Sequence, residues 1–152
     1  MSNEKPAPKM IFVNLPVADA EASAAFYEAI GFTRDPRFSQ PGASAAMVWS
    51  ESIRFMLLSR SRFADFSGKR IIDAKTEVQA LLCLSIDNRE AVDAIVAKAV
   101  AAGGKADPGP KQDHGFMYGR SFEDLDGHIF EPMWMDVESA LAAMSGQPTA
   151  AA

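Results

Sequence analysis

Glu131 is the residue of this chain best placed to do chemistry. It is the only acid in the apolar run Ile129-Phe130-Glu131-Pro132-Met133-Trp134-Met135. A carboxylate among such neighbours can serve as a base, a hydrogen-bond acceptor or a metal ligand. The plainer alternative is a structural ion pair with Arg54 or Arg120. His128 invites a metal pairing with Glu131, but an odd separation on a strand sends the two side chains to opposite faces. His128 therefore reads as a turn-flanking residue.

A second polar group is His114, Tyr118 and Arg120, the last two sharing a face by their spacing. They suit a polar rim, with Arg120 holding a carboxylate in a fork and Tyr118 donating to a substrate oxygen. Against this stands a surface ion pair for Arg120 and a backbone role for His114. Asn14 has the parity expected to point it into the same space as Glu131, and Ser85 and Cys83 have the matching parity further on. Apolar neighbours on both sides predict a buried, inert thiol for Cys83. Met56 and Met133, with Met47, Met117, Met135, Trp49 and Trp134, supply soft and flat surface. Such side chains either line a cleft for an aromatic or thioether-bearing ligand or form ordinary core. No glycine-rich phosphate loop, Ser-His-Asp arrangement or Cys/His cluster is present.

The elements that must position these residues come as a repeat. An apolar run from Met10 to Leu15 precedes a helical stretch that Asp19 caps and Gly31 ends. A second run from Ala80 to Ile86 precedes a helix with Val92, Ile95, Val96 and Ala99 as its stripe, ending at Gly103-Gly104. Asp87 and Glu90 have capping-box spacing. Strands are predicted over Phe32 to Arg37, Ser44 to Ser50, Ile53 to Ser59, Lys105 to Asp107, Phe116 to Phe122 and Ile129 to Met135. The last two are joined by an Asp126-Gly127 turn. The organisation is a tail 1–9, one domain 10–136 built of modules 10–59 and 79–136 joined by 60–78, and a tail 137–152 with room for a helix.

A net charge of -5 without Lys/Arg runs argues against nucleic acid and membrane surfaces. No stretch is apolar enough to span a bilayer. A lone cysteine and an N-terminal stretch, Met1 to Lys9, without an apolar core point to the cytoplasm.

Phe26-Tyr27 in the first helix, Asp124-Leu125-Asp126-Gly127 before Glu131, and the text His114 to Arg120 with Glu131 to Asp136 resemble the vicinal oxygen chelate superfamily. That superfamily includes glyoxalase I, bleomycin-resistance proteins and extradiol dioxygenases. The resemblance covers 10–136 and is nearest the predicted lactoylglutathione lyase-like subgroup. It implies an α+β fold, the glyoxalase/bleomycin-resistance fold, in which two βαβββ modules form a curved mixed sheet around a cleft. It also implies four metal-ligand positions, which fall near Phe12, Met56, Leu81 and Glu131. Only Glu131 among them is a usual ligand, so the customary metal site is expected to be missing.

The expected function is binding of a small organic molecule in a cleft, by a cytoplasmic homodimer without metal. Drug-binding members of the superfamily hold flat, partly cationic or aromatic molecules. The alternative is a lactoylglutathione lyase-like or dioxygenase-like enzyme using Glu131 with non-standard ligands such as His114. A ferredoxin-like domain fits less well, because more than one strand follows each helix.

Overall fold

The structure, a computed structural model, describes residues 4–146. The chain divides into two compact units, Met1–Ile72 and Asp73–Ala152. The first runs βαβββ as the repeat predicts, before a short helix; the second opens βα and then, among the described residues, continues in five strands, most of them short, before a last helix.

In the first unit, β1 (Ile11–Val17) leads into α1 (Ala20–Ala29), then β2 (Thr33–Gln40), β3 (Ser44–Val48), β4 (Ile53–Ser59) and the short α2 (Arg60–Ala64). The sheet order is β1-β4-β3-β2, with β1 and β4 parallel. Asp19 caps α1, accepting from the amides of Glu21 and Ala22 at 3.0 and 3.1 Å. Strand alternation sends Leu15, Val17, Ala45, Met47, Phe55 and Leu57 into the core, where α1 adds Ala24, Phe26 and Tyr27. Asn14, Arg54 and Met56 lie on the opposite face.

In the second unit, β5 (Leu81–Ser85) is followed by α3 (Arg89–Ala101), β6 (Lys105–Ala106), β7 (Gln112–Asp113), β8 (Met117–Gly119), β9 (Phe122–Glu123), β10 (Ile129–Met135) and α4 (Val137–Met144). β10 is central. It pairs in parallel with β5 on one side and antiparallel with β8 and β9 on the other. Val92, Ile95, Val96 and Ala99 of α3 are buried, as are Leu84, Phe122 and Phe130 of the sheet. The rings of Phe122 and Phe130 stack at 5.3 Å.

Two details depart from expectation. The cap of α3 is Asn88, whose side chain accepts from the Ala91 amide at 2.8 Å, so Asp87 is not the capping residue. The strand expected over Phe116 to Phe122 breaks into β8 and β9. Its break faces Pro132: the Arg120 amide donates to the Pro132 carbonyl at 3.2 Å, and proline has no N–H to return the bond.

The Asp124–Gly127 turn into β10 forms as predicted. Gly127 has φ +95°, and a Cβ there would lie 2.7 Å from the backbone of Ala74 and Lys75. Gly127→Ala therefore meets both a left-handed backbone and a steric wall. We expect a loss of at least about 2 kcal/mol in urea unfolding; wild-type stability in this variant would show that the turn is not packed this way.

Candidate functional site

The site follows from the alternation of β10. Phe130 and Pro132 are buried on the side of α3, while Ile129, Glu131 and Met133 emerge half-buried on the other face. The register sets Leu81 beside Ile129, Cys83 beside Glu131 and Ser85 beside Met133. Across β10, Gly119 lies opposite Met133 and Met117 opposite Met135. Leu81, Cys83, Met117, Gly119, Ile129, Glu131 and Met133 floor a cavity of about 450 Å³, whose wall includes Pro108, Gly109 and Pro110; Ser85 does not line it. The Glu131 carboxylate lines this cavity and makes no hydrogen bond or ion pair among the described residues. Within this unit, Arg120 pairs with Asp93 and Asp107 and not with Glu131.

Cys83 is not the buried thiol expected from its neighbours. Leu84 next to it is buried, but Cys83 itself is exposed on the cavity face. Partial desolvation, and then the negative charge of Glu131, push its pKa above the usual thiol value. Ser85 shares this face one row further along.

The expected rim does not assemble around Glu131. Tyr118 lies opposite Trp134, on the side of α3. Its hydroxyl donates to Asp93 at 2.7 Å, which raises its pKa, and the Arg89 guanidinium stands 4.6 Å from its ring centroid. Arg120 reaches the cavity edge, but its guanidinium donates to Asp107 at 3.1 and 2.7 Å and to Asp93 at 3.0 Å. It has no fork left for a substrate. His114 is exposed, stacked on Phe116 and 3.3 Å from the Gln112 amide oxygen; it meets the cavity only through Gln112, which lines it. Trp49 packs on Phe32 at 4.9 Å, in the aromatic cluster that Tyr27 and Phe55 complete, and lines neither the cavity of Glu131 nor that of Asn14.

What Arg120 does instead is hold the wall. The segment between β6 and β7 is tied at one end by Asp107–Arg120 and at the other by Asp113–Arg89, at 2.7 and 2.6 Å. In its middle the Gly109 amide donates to Ser121 Oγ at 3.0 Å. Pro108 and Pro110 stiffen the same stretch, and Asp107 adopts φ +52°. The Pro-Gly-Pro text was the sequence signal for this wall, and its partners were too distant in sequence to pair by spacing.

In the first unit, Asn14 lies opposite Met56, and both line a separate cavity of about 360 Å³.

A family model described as bleomycin resistance protein-like N-terminal matches residues 9–48. No curated protein matches the chain in sequence. A hypothetical protein from S. aureus superposes with TM-score 0.69 at 28% identity, covering 84% of this chain and 94% of its own. A glyoxalase/bleomycin resistance protein/dioxygenase family enzyme from Burkholderia phytofirmans PsJN gives TM-score 0.68 at 22% identity, covering 84% of this chain and 99% of its own. The chain has the fold of the vicinal oxygen chelate superfamily. A lactoylglutathione lyase from Agrobacterium tumefaciens also shares this fold, with TM-score 0.59 at 17% identity over 86% of this chain and 96% of its own.

Within the vicinal oxygen chelate fold the resemblance implies a metal, and the donors here do not fit one. The register pairs Phe12 with Arg54 and Asn14 with Met56 in one unit, Leu81 with Ile129 and Cys83 with Glu131 in the other. Cys83 and Glu131 are the only usual ligands in these rows. No group of three or more His, Cys, Asp or Glu that could hold a metal ion occurs among the described residues.

The wall carries a pH signature. Arg120 holds the Asp107 carboxyl below its ordinary range. A depressed folded-state pKa adds stability above the unfolded value of about 3.9, and that stability is lost as pH falls through the lowered value. We expect Arg120→Gln to cost about 1–2 kcal/mol in urea unfolding at neutral pH, with the gap to wild type narrowing in acid. A gap independent of pH would disprove the pairing.

Proposed function

We propose that the second unit binds a small, mostly apolar molecule carrying a cationic or hydrogen-bond-donating group, with Glu131 as its acceptor and without the superfamily's usual metal. The observation that carries this reading is the uncommitted Glu131 carboxylate inside a cavity of about 450 Å³. Pockets of a few hundred Å³ with apolar walls and a few placed polar groups are typical small-molecule sites. Here Met117, Met133, Pro108 and Pro110 supply adaptable and rigid apolar surface, and Glu131 supplies the one carboxylate, since the Arg120 charge at the edge is paired with Asp107 and Asp93. The described residues give no acid–base partner for Glu131 beyond the raised-pKa thiol of Cys83. The lyase-like and dioxygenase-like alternative needs further ligands, and His114 is engaged with Gln112 and Phe116 instead. The resemblance gives a homodimer as the working assembly, for which exposed Ile11 and Phe12 supply apolar area.

The test compares 1-naphthylmethylamine with the neutral 1-naphthalenemethanol by isothermal titration. Losing a charge-assisted hydrogen bond is worth about tenfold in affinity. Glu131→Gln should weaken the amine by that amount and leave the alcohol within about twofold. Equal affinities for the amine in both proteins would remove Glu131 from the site.

A further inference from the structure

We infer that the face of the first unit turned away from α1 binds a flat organic carboxylate. Its cavity of about 360 Å³ lies wholly within that unit and is lined by Arg37, Arg62, Phe38 and Phe66, with Asn14 and Gln40. No acid lines it, in a chain whose net charge is -5. Three guanidinium groups cluster on this side against two carboxylates. Arg37 and Arg54 share Asp35, at 2.9 and 3.5 Å, and Arg62 has only Asp65, at 3.3 Å. Asp35 is itself buried, so it neutralises from beneath while the Arg37 side chain remains 75% exposed. The local charge is therefore positive where the chain as a whole is negative.

The aromatic residues add the shape. The Arg62 guanidinium lies 4.8 Å from the Phe66 ring centroid, and that of Arg37 lies 5.6 Å from the Phe38 centroid. Stacking on a ring fixes the plane of a guanidinium while leaving donors for an incoming carboxylate. Phe38 and Phe66 are 62% and 68% exposed, so both rings offer faces that a flat ligand would cover. The side-chain amides of Asn14 and Gln40 have no hydrogen-bond partner among the described residues and can donate to an oxygen. Ser59 sets Arg62 in place by capping α2, accepting from the Arg62 amide at 3.2 Å. An aryl carboxylate matches this set: Arg62, whose Nε and Nη2 donors are uncommitted among the described residues, and two amides for its oxygens, with the Arg37 side-on fork held by Asp35 and aromatic faces for the ring.

The charge preference is opposite to that proposed for Glu131, and no residue lines both cavities. The probe is 1-naphthoate, added to protein labelled at its methionine methyl groups and followed by NMR, with 1-naphthalenemethanol as the uncharged control. Met56 lines this cavity, whereas Met117 and Met133 line the other. We expect naphthoate to move the Met56 signal and leave those of Met117 and Met133 in place. Arg62→Gln should weaken naphthoate about tenfold, Arg62→Lys should recover part of that, and Glu131→Gln should change nothing. Absence of binding, binding that shifts Met117 or Met133 instead, or equal affinity for the native protein and Arg62→Gln would each overturn the assignment. Because the amine titration reads Glu131 alone, a failure here leaves that reading standing, and the reverse holds too.

Discussion

The second unit depends on where β10 sits. With β5 on one side and β8 and β9 on the other, every second residue must serve the core and every other one must face outward. Phe130 and Pro132 fill the space against α3, and the same alternation leaves Glu131 no option but the cavity face. Pro132 has a second effect. Lacking an N–H, it interrupts the ladder opposite Arg120 and Ser121, which separate β8 from β9. That break frees Arg120 to grip Asp107 and lets Ser121 Oγ catch Gly109. One proline in a central strand thus helps shape both floor and wall.

The arginines are used differently in the two units. In the second, Arg89 and Arg120 are consumed by Asp113, Asp93 and Asp107, which orders the wall and leaves Glu131 as the uncompensated charge. In the first, Arg37, Arg54 and Arg62 outnumber the carboxylates beside them. Net charge hides this contrast, because a sum over the chain says nothing about which groups neutralise each other. Ion pairs between residues tens of positions apart are set by the fold, and each is worth little unless it is partly buried.

This is why the fold was more legible than the site. Strand parity separates Leu15 from Asn14 on opposite sheet faces, the helical stripe of α3 is legible residue by residue in Val92, Ile95, Val96 and Ala99, and Gly31 and Gly127 turn where expected. Those signals are local. The parity argument also put Cys83 and Ser85 on the face of Glu131, whereas Asn14, expected in the same space as Glu131, lines the cavity of the first unit. The errors came where a neighbour in sequence stood in for a neighbour in space. Leu82 and Leu84 suggested a buried Cys83, yet on a strand they report on the opposite face. Tyr118 and Arg120 do share a side, but it is the side of α3, and nothing within the strand itself says which side faces a helix. Trp49 suits either cleft lining or core by its type, and its packing on Phe32 is a contact that no local spacing announces.

The central claim is that Glu131 and Cys83 stand side by side on the open face of the second unit. Cys83 is the only cysteine, so thiol labelling reads that one place. The negative charge of Glu131 helps to hold the thiol pKa up, and removing it should raise the thiolate fraction. The measurement is the rate of Cys83 modification by a small disulfide reagent, followed across pH in the native protein and in Glu131→Gln. The account predicts faster labelling in the variant with the rate profile displaced to lower pH; superimposable profiles, or a thiol that reacts only on unfolding, would contradict it.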